Sequence, residues 1–330
     1  MKKLSKKMMI SLLTFALVFI ALGASTFAWF TLADSAELTN IEINVSGGGG
    51  LEMALTKKDG TLTDYKTNLS SADILGVLGD IKLSDITSTD GVTFKNFERE
   101  AVTFNKDADA VNSFIELTFN FNARVEGVSN PSEVAIYLVN KQSPTYSANL
   151  ATQGTFVTSE GVTAKASHTF TTNEGEVKPT DSAKTYYAKD AILVSFKDSN
   201  QTKAKLFDFN AAENRNYGDG FSADTAELKG AASFQYNENG VNPGAAPTRD
   251  ENKVEVVSVL STFTEGSIAD NDNSKVCILT NDGEGNYTGS VTVRIWVEGF
   301  DYDCFNLIYS DTILTQFEFK LGYKLAAAQE

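Results

Sequence analysis

Three kinds of residue in this 330-residue chain have the type and spacing to do chemistry: acidic loops, two cysteines, and a small-residue cut site near the N-terminus. The run Asp270-Asn271-Asp272-Asn273-Ser274 sets oxygen ligands at alternate positions, as the first half of a calcium loop does. Lys275 then stands at the sixth position, where such a loop turns on glycine, and Asn281 stands where a bidentate Glu belongs. The second acidic run is Glu298-Gly299-Phe300-Asp301-Tyr302-Asp303. Asp270, Asp272, Asp301 and Asp303 are therefore the candidate calcium ligands, set against the plainer reading of two solvated turns. No other cofactor is indicated. Cys277 and Cys304 flank a strand-like stretch at 290–298. An oxidising exterior permits one disulfide between them, if their Cα atoms come within ~7 Å. The alternative is two free thiols, one of them buried in a strand.

Catalysis finds little support, and the chain reads as non-enzymatic. It has one histidine, His168, in a Ser/Thr-rich segment. A Ser/His/Asp triad would have to use it, yet no G-x-S-x-G elbow is present. H-E-x-x-H, paired C-x-x-C and Walker loops are absent as well. Gly47–Gly50 precedes a strand-like Leu51-Glu52-Met53-Ala54-Leu55 with no Lys-Ser/Thr after it, so it reads as a turn rather than a phosphate cradle.

The N-terminus carries the clearest signal. Lys2, Lys3, Lys6 and Lys7 form a basic start, and Met8 to Leu22 is apolar except for Ser11 and Thr14. Gly23-Ala24-Ser25-Thr26-Phe27-Ala28 follows, with small residues at −3 (Thr26) and −1 (Ala28) of a cut before Trp29. This is the layout of a secretory signal peptide at 1–28, read by a signal peptidase during export. The alternative is an uncleaved single-pass anchor, since Met8 to Phe30 is long enough to span a bilayer core of ~30 Å. Either way the remainder is expected outside the cell or on its surface.

Charge narrows the partners. The chain has 28 Lys+Arg against 43 Asp+Glu, a net −15. Loss of 1–28 removes four lysines and no carboxylate, which deepens this to −19. Such a surface repels phosphate backbones, so nucleic acid is not an expected partner.

The elements that must position these residues are strands. Ile41, Ile43 and Val45 alternate with polar residues, as do Ile115, Leu117, Phe119, Phe121 and Ala123. So do Val291, Val293, Ile295 and Val297, while Ile313, Phe317, Phe319, Leu321 and Tyr323 share a face of the last strand. One short helix is predicted at Ser70–Gly79, capped by Ser70 or Ser71 and carrying Ile74, Leu75 and Leu78. The expected fold is all-β, an antiparallel β-sandwich of jelly-roll type over 37–330, with insertions near 141–188 and 210–250. Residues 29–36 would be an exposed N-terminal segment. Trp296 falls on the nominally polar face of its strand, and must be covered by the protein's own loops or by a partner.

Two stretches carry a family resemblance. The junction Gly23-Ala24-Ser25-Thr26-Phe27-Ala28-Trp29-Phe30-Thr31 resembles that of proteins with SipW-type signal peptides, the TasA- and camelysin-like group. Val293-Arg294-Ile295-Trp296-Val297-Glu298-Gly299-Phe300-Asp301-Tyr302-Asp303-Cys304 resembles a C-terminal motif of uncharacterised Firmicutes surface proteins with this signal. The resemblance implies a jelly-roll subunit or accessory of an extracellular fibre or biofilm matrix. It implies self-assembly into a homopolymer, alongside other matrix or cell-surface components. It also implies a donor strand at the new N-terminus, which places Trp29, Phe30 and Leu32 in a neighbouring subunit. Burying both rings would contribute ~4–6 kcal/mol, and a head-to-tail strand contact propagates because it need not close. The alternatives are that these rings tuck into their own subunit, and that the chain is a monomeric binding module for glycan or cation. An extracellular hydrolase using carboxylates is the third class.

Export is directly testable. N-terminal sequencing of the exported protein is expected to begin at Trp29; an intact Met1 in the membrane fraction identifies the anchor instead.

Overall fold

The computed structural model describes residues 36–45, 50–78, 82–98, 103–107, 113–125, 131–139, 154–166, 169–172, 174–208, 249–257, 260, 273–301 and 303–325. The strands of the first half are β1 (Ala36–Val45), β2 (Glu52–Leu55), β3 (Asn68–Leu69), β4 (Lys82–Leu83), β5 (Asp85–Thr87), β6 (Lys95–Glu98), β7 (Thr103–Asp107), β8 (Ile115–Arg124), β9 (Pro131–Leu138) and β10 (Phe156–Ser159). Those of the second half are β11 (Val162–Ala164), β12 (Phe170–Thr172), β13 (Gly175–Val177), β14 (Lys184–Tyr186), β15 (Ile192–Asp198), β16 (Ala204–Phe207), β17 (Val254–Val257), β18 (Lys275–Asn281), β19 (Asn286–Glu298) and β20 (Ile313–Leu325). Helix α1 (Ser71–Leu78) lies between β3 and β4.

Two sheets face each other. The front sheet is built on β19, which pairs antiparallel with β8 from Asn286–Arg124 to Ile295–Ile115 and with β15 from Val291–Asp198 to Val297–Ile192. β16 and β17 extend it on the β15 side, while β2, β5, β6 and β7 extend it on the β8 side. The back sheet is built on β20, flanked by β9 and β10 along one edge and by β1 along the other. The alternation that predicts these strands is the alternation of burial: Ile115, Leu117, Phe119, Phe121 and Ala123 are buried, and Glu116 and Arg124 are exposed. Front-sheet Phe119 and Phe121 meet back-sheet Phe319 at ring-centroid distances of 5.6 and 5.2 Å. Phe196 meets Phe317 at 5.4 Å. These offset and edge contacts fill the space between the sheets.

The all-β expectation holds, but the sheets do not close into a jelly-roll barrel. Nor is the pairing wholly antiparallel. β1 runs parallel to β20, β17 parallel to β16, and β5 parallel to β19. Part of the predicted insertion at 141–188 is core: β10 is buried along its whole length and pairs with the start of β20. The hairpin β11–β14 and the hairpin β12–β13 are the peripheral part of that region. The 210–250 stretch lies outside the described residues except for Arg249 and Asp250.

α1 forms where expected, on a reciprocal cap. The Asp73 amide donates to Ser70 Oγ, and the Ser70 amide and hydroxyl both donate to Asp73 Oδ2. The Lys66 ammonium bonds Asp73 Oδ1 at 2.6 Å and, with the Ser70 bonds, holds that carboxyl down to about 2. Ile74 and Leu78 face the core, whereas Leu75, expected beside them, is 42% exposed.

β18 joins the two sheets. Only Thr280 and Asn281 pair with β19, across the turn 282–285. From Leu279 back to Lys275 the strand pairs with β9 instead. β15 occupies the edge of β19 that β18 vacates, so β18 forks away and crosses closely over Gly289. A Cβ there would sit 2.8 Å from Leu279 Cδ2, 2.9 Å from the Ile278 carbonyl oxygen and 3.2 Å from Cys277 Sγ. The Gly289→Ala variant is expected to lose about 1–3 kcal/mol, the usual cost of overpacking. Chemical denaturation of the variant beside the native protein measures it.

Candidate functional site

The motif 293–304 forms the corner at the end of β19. Trp296 and Glu298 lie two residues apart on one strand face, so the indole Nε1 donates to Glu298 Oε2 at 3.2 Å. Arg249 Nη2 reaches the same oxygen at 3.3 Å, and Arg249 Nη1 donates to the Ser88 carbonyl. The Gly299 amide donates to the Ile86 carbonyl at 2.8 Å, turning the chain under β5. Trp296 is fully buried among Ile86, Phe94, Phe114, Leu193, Leu206 and Val254, a second apolar cluster on the outer face of the front sheet. Phe94 stands edge-on to the indole at 5.0 Å. The cover that the sequence demanded for Trp296 is therefore supplied by the protein's own β5–β6 connection, β15, β16 and β17.

The loop 88–93 that carries this cover is knitted by Asp90. Its carboxylate accepts from the Val92 and Thr93 amides at 2.9 and 2.7 Å, and from the Thr93 and Ser88 hydroxyls. Burial alone would raise the Asp90 carboxyl, but these donors outweigh it and the group titrates below the ordinary value.

The sequence candidates fare unequally. Asp301 is buried, its Oδ1 accepts the Asp303 amide at 2.9 Å, and its carbonyl accepts the Cys304 amide at 3.1 Å. Asp301 and Asp303 thus shape a turn. Among the described residues no group of three or more His, Cys, Asp or Glu gathers to hold a metal ion. Asp270, Asp272 and His168 lie outside the described residues, as do the cut site Ala28–Trp29 and the donor residues Trp29, Phe30 and Leu32.

The expected disulfide is not formed. Cys277 and Cys304 are both free and buried. Cys277 pairs with Ile136 and lies against Gly289, near the start of β19. Cys304 lies beyond the other end of β19, with its Sγ 3.6 Å from the Tyr309 hydroxyl. Gly289 to Glu298 along an extended strand is on the order of 30 Å, far beyond bridging distance. The inference from a simple 275–280/290–298 hairpin fails because β18 leaves β19 before reaching Cys277. Burial first, then the nearby charge of Asp198 for Cys277 and of Asp85 for Cys304, pushes both thiols well up. They are packing groups rather than nucleophiles.

A cleft of about 340 Å³ opens in the fork between β18 and the β15–β16 hairpin. Its floor includes Phe196, Val276 and Cys277, and Asp198 closes the crotch of the fork. Asp198 Oδ2 accepts the Ile278 amide and Oδ1 accepts the Asn200 amide, both at 2.8 Å. The Asn200 Nδ2 donates to the Ile278 carbonyl at 3.2 Å. Two side chains thus take the place of a neighbouring strand for Ile278. Burial raises the Asp198 carboxyl above its ordinary value, against the amide bonds and the charge of Lys197. The sequence signal for this turn was the Asp-Ser-Asn run before Gln201, which alternation analysis passed over. Arg249 was missed because its partner Glu298 is 49 residues away in the chain.

No helix among the described residues is long and apolar enough to cross a membrane. No protein-family model, curated protein or solved structure matches the chain.

The Arg249–Glu298 pair is 12% and 3% exposed at its side chains. Arg249→Ala leaves the Glu298 charge buried without its cation, and is expected to cost about 3–5 kcal/mol. Arg249→Ala with Glu298→Gln is expected to recover part of that loss. A double-mutant denaturation cycle reads the coupling.

Proposed function

We propose that this protein is a secreted, non-enzymatic structural subunit or accessory of an extracellular fibre or matrix, assembled by β-strand addition. The observation that carries the reading is the placement of β1. This strand follows directly on the export-type segment and the aromatic stretch Trp29-Phe30-Thr31-Leu32. It joins the back sheet through a parallel ladder on β20, from Leu38–Ile313 to Val45–Phe319. Among the described residues its outer edge pairs only at Ala36–Glu37 with β4 and at Ile43–Asn44 with β3. Between those two points the chain runs through α1 rather than a strand. A strand edge paired only in part is a place where a neighbour's donor segment can add. In this reading the sandwich is of jelly-roll type, and the neighbour's donor segment completes it.

Exported protein starting at Trp29 is expected to form head-to-tail polymers, visible by negative-stain microscopy and size exclusion. Deleting 29–36 is expected to abolish them while leaving a folded sandwich that binds a synthetic peptide of that segment. A monomer at high concentration, destabilised by several kcal/mol on the same deletion, would show the segment to be part of its own core. That outcome favours the second reading, a monomeric surface binding module, for which the cleft between β15–β16 and β18 is the supporting observation.

A further inference from the structure

The fork between the sheets leaves a cleft whose lining differs in charge from the rest of the molecule. The chain as a whole carries −15. Lining this cleft, Lys203 and Lys205 of the β15–β16 hairpin and Lys275 of β18 stand against Asp198 and Glu255. Cations are thus in local excess in a chain dominated by carboxylates. Their positions are unequal. Lys197, outside the lining, donates to the carbonyls of Asp198 and Gln201 and so fixes the turn. Lys275 bonds Glu133 at 2.9 Å on the back-sheet side. Lys205 is the register partner of Glu255 across the parallel β16–β17 pair. Lys203 is exposed at the tip of the hairpin.

The polar groups between these cations are of another kind. Gln201, Thr202 and Asn273 are exposed at the cleft and offer amide and hydroxyl groups. Below them Phe196, Val276 and Cys277 make an apolar floor. The cleft volume of about 340 Å³ is near the lower end of small-molecule sites. An apolar floor, neutral hydrogen-bonding groups on the walls and lysines at the rim match a ligand with a ring body, many hydroxyls and a negative charge.

We infer that this cleft binds a carboxylated saccharide, with the carboxylate at Lys203 and Lys205 and the hydroxyls on Gln201, Thr202 and Asn273. This gives the binding-module reading a site, and it stands whether or not the chain polymerises. The Asp198–Asn200 turn acts as the fixed base: its bonds to Ile278 hold the two walls at one separation, so the site is formed before ligand arrives.

The test is a titration of the full chain with tri-galacturonate, followed by calorimetry and by amide NMR shifts. Saturable binding is expected, with the shifted amides in 196–205 and 273–278. The Lys203→Ala/Lys205→Ala pair is expected to weaken it about tenfold or more, the scale of a lost charge-assisted contact. Lys203→Arg/Lys205→Arg is expected to retain most of it. Raising salt should weaken binding, since the rim is solvated. An uncharged trisaccharide bound equally well would overturn the carboxylate assignment. Inorganic phosphate or citrate bound as tightly would overturn the saccharide assignment. Absence of saturable binding, or binding unchanged in the double alanine variant with its unfolding midpoint intact, overturns the site itself. Polymer formation, read separately by sedimentation, reports on the assembly reading alone.

Discussion

Two strands compete for one edge of β19, and the shape of the molecule follows from how that competition ends. β18 arrives as the first arm of a hairpin and is entitled by sequence to pair along β19. β15 takes the same edge from Val291 onward. After Thr280–Asn281, β18 has no partner left on β19 and turns to β9. That switch ties the front sheet to the back sheet through continuous backbone, and it requires a residue without a side chain where the strands cross, at Gly289. It also opens the fork that Asp198 and Asn200 close. A fork in a sheet leaves backbone groups without strand partners, and buried ones are costly unless met. Here a carboxylate and a carboxamide meet those of Ile278.

The same solution recurs at three other corners of the described sandwich. Asp311, at the entry to β20, accepts the Gly161 amide at 2.7 Å and the Ala188 amide at 2.8 Å, clamping two loops to the strand. Asp90 gathers two amides of its own loop, and Asp301 accepts the Asp303 amide in the turn after β19. These carboxylates are buried, and each accepts backbone N–H in a charge-assisted bond. An acidic composition in an all-β chain thus has two parts. One is a solvated surface charge; the other is a set of internal corner-pieces, present because helices, with their self-satisfied backbones, are scarce among the described residues.

Strand alternation made the front and back sheets legible before their pairing was known. Phe119, Phe121, Phe317 and Phe319 could be assigned to buried faces from period two alone, because polar residues separate them in the sequence, although 313–319 of β20 is buried on both faces. β10 was not legible: Phe156-Val157-Thr158-Ser159 is buried on both faces, so it shows no alternation and sits in a Ser/Thr-rich context that reads as loop. Pairing partners were beyond local pattern as well. Nothing in Ile41, Ile43 and Val45 says that their strand runs parallel to one near the other end of the chain. The cysteines illustrate the same gap. Closeness in sequence to one strand placed them together, while the fork set them at opposite ends of it.

The motif around Trp296 shows how a conspicuous sequence can serve architecture. In the sequence, Trp296 on the nominally polar face demanded cover, and the run from Glu298 read as calcium ligands or a solvated turn. In the fold they are one device. The indole fills the cover over the front sheet, and its N–H needs an acceptor in an apolar setting. Glu298 supplies that acceptor and is charged, so it needs a cation, which Arg249 brings from the far side of a long connection. Gly299 lets the chain leave the strand beneath Ile86. Each residue is required by the one before it, and the sequence of requirements ends in a clamp on the connection between β16 and β17. The proposed assembly would need the sandwich to stay folded while a neighbour's strand is added, and a clamp of this kind secures the later strands from outside the core.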